Sequence, residues 1–337
     1  SSGFGGHGIF ALNLKGTNGI SGGSVSGFNL ANRDGVQVLS NLYTQTFNVA
    51  GTTIQNGTGN SGLRGTALGT ANLTLVVGGA TNNAATNVTF TNITGTAVNT
   101  SSSDTSTLNL TVQHSTFQNS PVDGKTYIIG TTAGTGHGAF NVLNNTFNNV
   151  FRTASTGEAL INLSGSATGA GNTFSANVSG NTISNVGGGT NVCAGGAVYC
   201  AGPLQAIGIL IGAATNVSGN ILVDGNSLTA VQQGGLLLDM LNTGASPIGA
   251  KITNNVFGTI AGRLIVGRMF HPGRRREAER QDVRAYFRDV LRYETVDLSR
   301  GDAVAELTGA LVVDRARRVG FHGMSQRADA AGCAIGT

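Results

Sequence analysis

Carboxylates are scarce in most of this chain, and their scarcity limits the chemistry it could do. Residues 1–262 hold six acids, Asp34, Asp104, Asp123, Glu158, Asp224 and Asp239, and six basic groups, Lys15, Arg33, Arg64, Lys125, Arg152 and Lys251. Cleaving a glycosidic bond takes a general acid set opposite a base or nucleophile, and holding calcium takes several carboxylate oxygens converging on one point. These acids are about 20 to 70 residues apart, except for Asp224 and Asp239. Asp224 is followed by Gly225 and Asn226, where an aspartate serves a turn rather than a reaction. Two histidines sit in Gly6-His7-Gly8 and Gly136-His137-Gly138, which read as turn or surface sequence, and no His or Cys spacing suits zinc. Cys193 and Cys200 lie seven apart in the stretch NVCAGGAVYCAG. In an oxidising compartment a disulfide would close that loop, with two unpaired buried thiols as the alternative. Cys333 has no evident partner. On this reading residues 1–262 contain no catalytic constellation, metal site or cofactor site.

The net charge of +4 conceals a boundary. Residues 1–262 are neutral, six against six, whereas residues 263–337 hold the other 14 bases, all arginine, and ten acids, so 14 − 10 gives +4 in that segment alone. The alkaline character belongs to the tail and is no argument that the main body binds nucleic acid. The chain contains 53 glycines and no Trp and is 11% charged, yet 39% of it is hydrophobic, enough to build a thin core. It holds no run of 18 apolar residues, so no spanning helix is expected. The opening SSGFGGHG carries neither an initiator Met nor a signal peptide and reads as an internal or processed piece.

One short pattern returns through the first part: an apolar residue, four small or polar residues, then another apolar residue. Its eight instances are anchored at Ile20 and Val25, Val49 and Ile54, Ala85 and Phe90, Val112 and Phe117, Val142 and Phe147, Val178 and Ile183, Val223 and Leu228, and Ile252 and Phe257. Successive second anchors are 29, 36, 27, 30, 36, 45 and 29 residues apart. Alternating side chains such as Leu108, Leu110 and Val112 point one way, and Asn or Gly supplies left-handed backbone at the corner, so each instance reads as strand, tight turn, strand. A coil of about 30 residues cannot bury its own inward face, but stacked coils can, with Val on Val and Phe on Phe in columns. The Asn-rich turns suggest amide ladders running from coil to coil. The competing reading is that each asparagine is merely a good turn former. The 45-residue interval carries the Cys193–Cys200 segment as an excursion. The expected fold is an all-β, right-handed parallel β-helix of about eight coils over residues 1–262, followed by a small α/β segment.

The segments SGNTISN, NNTFNN and AKITNNVFG resemble bacterial right-handed β-helix surface proteins, including autotransporter passenger domains. The resemblance implies export to the extracellular space or cell surface, with any outer-membrane contact made through segments outside this sequence. Gly-His-Gly is similar to the histidine motif of polygalacturonases, but their Asn-Thr-Asp, paired Asp-Asp and Arg-Ile-Lys motifs do not accompany it here. Exposed rows of Thr, Ser and Asn would suit weak multivalent contact with host glycans or surface proteins, or would only keep a rod soluble.

From Arg263 the pattern changes. HPGRRREAERQDVRAYFRDVLRYE places Val283, Tyr286, Phe287, Val290 and Leu291 on one face of an amphipathic helix. ETVDL, AVAEL and GALVVD then read as strands. This tail resembles part of the arginine deiminase and amidinotransferase superfamily, built from ββαβ modules. The residues concerned are Arg274-Arg275-Arg276, Glu306-Leu307-Thr308-Gly309 before Leu311-Val312-Val313-Asp314-Arg315, and Ser325-Gln326-Arg327-Ala328-Asp329. Leu307 replaces a glycine of the family pattern and Gln326 a proline. The resemblance implies one or two modules of five, with Glu306 as the carboxylate that grips a guanidinium. The family's thiolate and His base would come from other modules. Cys333 does not stand at the position of that thiolate. The join points to a gene fusion, a frameshift or a truncation, or to a helix that caps the rod.

Three functions follow, in order of preference. The first is a cell-surface adhesin or stalk that is not an enzyme and uses no cofactor. The second is a degraded pectin lyase-like, glycan-active enzyme, and the third a truncated guanidine-modifying enzyme contributed by the tail.

Overall fold

A computed structural model describes residues 6–120, 127–151, 159–166, 170–187, 206–211, 216–231, 235–240, 248–257, 263–266, 280–285, 294–297, 311–314 and 319–322. The chain divides into two compact units, Ser1–Phe257 and Gly258–Thr337.

The first unit is built from three parallel sheets of eight strands each, visited in rotation. The first sheet runs Ile9–Leu12, Asp34–Ser40, Ser61–Ala67, Thr96–Ser102, Ile128–Ala133, Ile161–Ser166, Ile207–Ile211 and Leu236–Met240. The second runs Gly16–Ser21, Thr44–Ala50, Asn72–Val77, Thr107–Gln113, His137–Leu143, Ala170–Ser179, Asn216–Asp224 and Ile248–Thr253. The third runs Ser24–Ser26, Thr53–Gly57, Thr89–Ile93, Thr116–Ser120, Thr146–Phe151, Thr182–Gly187, Ser227–Val231 and Val256–Phe257. Each strand pairs with its counterparts one coil before and after, the arrangement of a β-helix-like solenoid.

The apolar anchors read from sequence fall into register. Ile20, Val49, Val77, Val112, Val142, Val178, Val223 and Ile252 are successive partners in the second sheet. Val25, Ile54, Phe90, Phe117, Phe147, Ile183, Leu228 and Phe257 are successive partners in the third. One anchor is corrected. Ala85 is exposed, and Val77 holds its place in the column. Ten residues, 78–87, separate Val77 from the buried Val88 where the preceding coil has only Ala50 and Gly51 between Val49 and Thr52, and Asn83 and Asn87 fold this insertion of eight into a local turn.

Corner and core both follow from side-chain type. The residue two after the second-sheet anchor takes positive φ at Gly22, Gly51, His114, Asn144, Gly180, Gly225 and Asn254, a conformation open mainly to Gly and Asn. The next residue points inward, and from the fifth coil onward it is always asparagine. Asn145 Nδ2 donates to Asn181 Oδ1 at 3.0 Å, Asn181 Nδ2 to Asn226 Oδ1 at 2.9 Å, and Asn226 Nδ2 to Asn255 Oδ1 at 2.8 Å. The amide ladder expected from the sequence is therefore present. Phe90, Phe117 and Phe147 stack with centroids 4.8 and 4.7 Å apart.

One buried group has no such partner. Gln45 is fully buried in the second sheet, and neither Oε1 nor Nε2 meets a donor or acceptor. A stranded buried polar group destabilises by about 1–3 kcal/mol. Gln45→Met, which keeps the chain length and removes the polar atoms, is expected to raise the urea midpoint with an unchanged slope; a lowered midpoint would mean that the amide is satisfied by water.

The second unit contains, among its described residues, the strands Arg263–Val266 and Glu294–Asp297, which pair in parallel, with the helix Gln281–Ala285 between them in sequence. Arg284 Nη1 lies 2.8 Å from Asp297 Oδ2. Leu311–Asp314 and Val319–His322 form an antiparallel pair. ETVDL and GALVVD thus yield the expected strands. The expected helix is described at Gln281–Ala285, where Val283, expected on its apolar face, is exposed. Tyr286, Phe287, Val290, Leu291 and AVAEL lie outside the described residues.

Candidate functional site

The solenoid gathers titratable side chains at one place near its first coil. Asp34 opens a first-sheet strand with its side chain turned inward, 2% exposed. Arg64, one coil later, reaches it with Nε 3.1 Å from Oδ2 and 3.3 Å from Oδ1. The Asp34 backbone N–H donates to His7 Nδ1 at 3.1 Å, and the same ring nitrogen stands 3.6 Å from Asp34 Oδ2. On its other side the ring meets Arg33, whose Nη1 lies 3.4 Å from His7 Nε2. His7 also stacks on Phe10. The expectation of a free turn or surface histidine is corrected for His7, which is largely packed against Asp34. His137 does lie at the surface, 2.8 Å from Thr173 Oγ1.

Burial raises the Asp34 carboxyl above its ordinary value, and the opposing pull of Arg64 and then His7 only partly offsets it. The sign of the pH dependence follows. A raised folded value means that the native state holds the proton more tightly, so this contribution to stability is fully present below the ordinary value of 3.8 and is lost as pH rises through the folded one. Urea midpoints measured from pH 3 to pH 7 should show wild type losing ground to Asp34→Asn as the pH rises. The reverse trend would mark Asp34 as an ordinary stabilising ion-pair partner.

The other described acids of the solenoid do not converge. Asp104 takes positive φ in a turn and accepts from the Gly69 N–H at 3.0 Å. Asp224 accepts from Thr253 Oγ1 at 2.8 Å and Asn254 Nδ2 at 3.0 Å, bonds that lower its pKa. Asp239 belongs to the first sheet and Asp224 to the second. Among the described residues no group of three His, Cys, Asp or Glu could hold a metal ion. Glu306, Cys193, Cys200 and Cys333 lie outside the described residues.

The outward faces differ in chemistry. In the third sheet one outward column runs Ser24, Thr53, Thr89, Thr116, Thr146, Thr182 and Ser227, each the register partner of the last. Beside it run Ser26, Gln55, Thr91, Gln118, Asn148, Ser184 and Thr229. Neither column holds a charged or apolar residue over seven coils, and in the eighth the first column ends at the exposed Val256. The second sheet's outward columns are interrupted by Val76, Ala139 and Leu222 and end at Lys251. Its last coils carry an open groove of about 480 Å³ lined by Asn141, Asn177, Asn220 and Lys251 among others. The first sheet's outer face mixes Gln37, Arg64, Ile129 and Leu237.

Comparison with known proteins marks only the far end of the chain. The model of the family described as N,N dimethylarginine dimethylhydrolase, eukaryotic, matches residues 234–335, which is 102 of 337. This is consistent with the amidinotransferase-like reading of the tail. The match begins before Arg263 and takes in the strands Leu236–Met240 and Ile248–Thr253 of the solenoid. The expectation that the chain is not an enzyme finds no support there, since the matched family is a hydrolase by its description. No curated protein and no solved structure matches the chain.

Proposed function

We propose that residues 1–262 form a right-handed parallel β-helix, exported and displayed on a bacterial surface, that serves as an adhesin or stalk and binds without turning its ligand over. The hand follows from the strong preference of parallel crossovers for the right-handed sense. The carrying observation is the contrast between long uncharged polar columns on the outside and carboxylates tied to the fold at Asp34, Asp104 and Asp224. Such columns suit weak contacts repeated many times, whose sum exceeds any one of them.

A second reading concerns residues 263–337 and rests on the family match. There the tail contributes a guanidine-modifying hydrolase module acting on N,N-dimethylarginine or a related guanidine, with Glu306 gripping the planar cation in a bidentate pair. A glycan array run beside assays on pectin and N,N-dimethylarginine separates the readings. Glycan binding without product release supports the adhesin. Release of unsaturated or reducing sugar from pectin supports a glycan-active enzyme, and release of dimethylamine and citrulline, abolished by Glu306→Gln, supports the tail hydrolase.

A further inference from the structure

We propose that the third sheet's outer face is the binding surface, and that its ligand is an uncharged, linear polysaccharide lying along the solenoid axis; this rests on the adhesin reading and gives it a place and a ligand class. Residues in each outward column repeat at the spacing of parallel strands, about 4.8 Å. That is near the length one hexopyranose unit adds to an extended glycan. A sugar chain running across the strands would therefore meet a hydroxyl such as Thr116 and an amide or hydroxyl such as Gln118 at each step, with both donors and acceptors offered at every coil.

Charge and area select this occupant. Neither column contains Lys, Arg, Asp or Glu, so nothing there would attract phosphate, anionic lipid or an acidic glycan. The strip is seven coils long and two outward residues wide, about 300 Å² at ordinary strand spacing. A stable protein–protein interface needs about 800 Å² from each partner, so a second copy or a globular receptor has too little surface here. A thin polymer does not need that breadth. Its affinity grows with the number of coils engaged, and the absence of aromatic side chains from the columns keeps each contact weak.

The test uses the full chain, with insoluble cellulose as the neutral linear probe and soluble polygalacturonate as the acidic one. Binding to cellulose should persist in high salt and exceed binding to polygalacturonate. Thr89→Val/Thr116→Val/Thr146→Val keeps β-branched side chains and removes three adjacent hydroxyls; it should weaken cellulose binding by about tenfold or more, since the loss compounds along a multivalent contact. Asn109→Ala/Asn141→Ala/Asn177→Ala on the second sheet should leave binding unchanged, with thermal melts confirming that both variants fold. Retained binding in the threonine variant, or loss confined to the asparagine variant, overturns this face while leaving the adhesin reading intact. Preference for polygalacturonate overturns the ligand class. No binding to any glycan on an array removes the adhesin reading itself.

Discussion

Asn181→Leu is expected to destabilise the solenoid by about 4 kcal/mol, the sum of two or three buried groups left unpaired at about 1–3 kcal/mol each. In the native chain Asn181 Oδ1 accepts from the Asn145 N–H and from Asn145 Nδ2, both at 3.0 Å. Its own Nδ2 donates to the Val142 carbonyl at 2.8 Å. Leucine matches the side chain in size but offers nothing to any of these groups, and all of them are buried. Exposed Asn144, one residue before the ladder, is the control. It takes positive φ, which glycine adopts freely, so Asn144→Gly should change stability by less than about 0.5 kcal/mol. Urea unfolding followed by circular dichroism measures both. A loss below about 1 kcal/mol for Asn181→Leu would mean that these amides are turn formers and little more. Because each coil contacts only its neighbours, the damage should concentrate in the fifth to seventh coils. Hydrogen exchange at the Asn145 amide should therefore accelerate more than at Leu75.

The same residues show how far the sequence alone carries the structure. An anchor, a left-handed corner, an inward amide and a second anchor fall within six residues, as at Val142, Asn144, Asn145 and Phe147, all visible as letters, and they define the second and third sheets with their register. The first sheet was less legible. Its inward positions include Gly65, Thr100, Gly130 and Gly165, where side chains from the neighbouring sheet fill the space instead. A β-carbon on Gly130 would lie 2.5 Å from the Phe140 ring. Small residues are dictated by that packing, and they erase the apolar alternation by which a strand is recognised. Ala85 misled because an apolar residue happened to stand five places before Phe90, while the true partner, Val77, was displaced by an insertion.

The titratable cluster was missed for a different reason. Asp34 and Arg64 are 30 residues apart, which looks unrelated until 30 is recognised as one coil. His7 precedes Asp34 by 27, again one coil. The repeat length is thus the signal that could have joined them, since residues one repeat apart are neighbours in a stacked array. No such signal exists for Gln45, whose burial is set by the pleat and whose lack of a partner depends on what the adjacent coils place beside it. In the tail, the short strands were legible from continuous apolar runs, while the exposure of Val283 depends on packing that periodicity does not specify.

Phe117→Ala is expected to cost about 3–5 kcal/mol, the range for emptying a buried aromatic site, because Phe117 is fully buried between Phe90 and Phe147. Whether ring stacking itself contributes is a separate matter, and the geometry decides it. The rings are parallel within 0° and 8° at 4.8 and 4.7 Å, a separation set by the strand spacing of about 4.8 Å. The backbone ladder therefore fixes this spacing before any preference of the rings acts. The column also accepts aliphatic residues at Ile54, Ile183 and Leu228. Phe117→Leu should therefore cost about 1 kcal/mol, as a nearly volume-conserving change does. A double-mutant cycle of Phe90→Leu with Phe117→Leu should show coupling below about 0.5 kcal/mol, read from urea midpoints. Coupling above about 1 kcal/mol would show that ring-on-ring attraction holds the third sheet together. In that case the aromatic run from Phe90 to Phe147, and not the amide ladder beside it, would be the part of the solenoid least able to tolerate change.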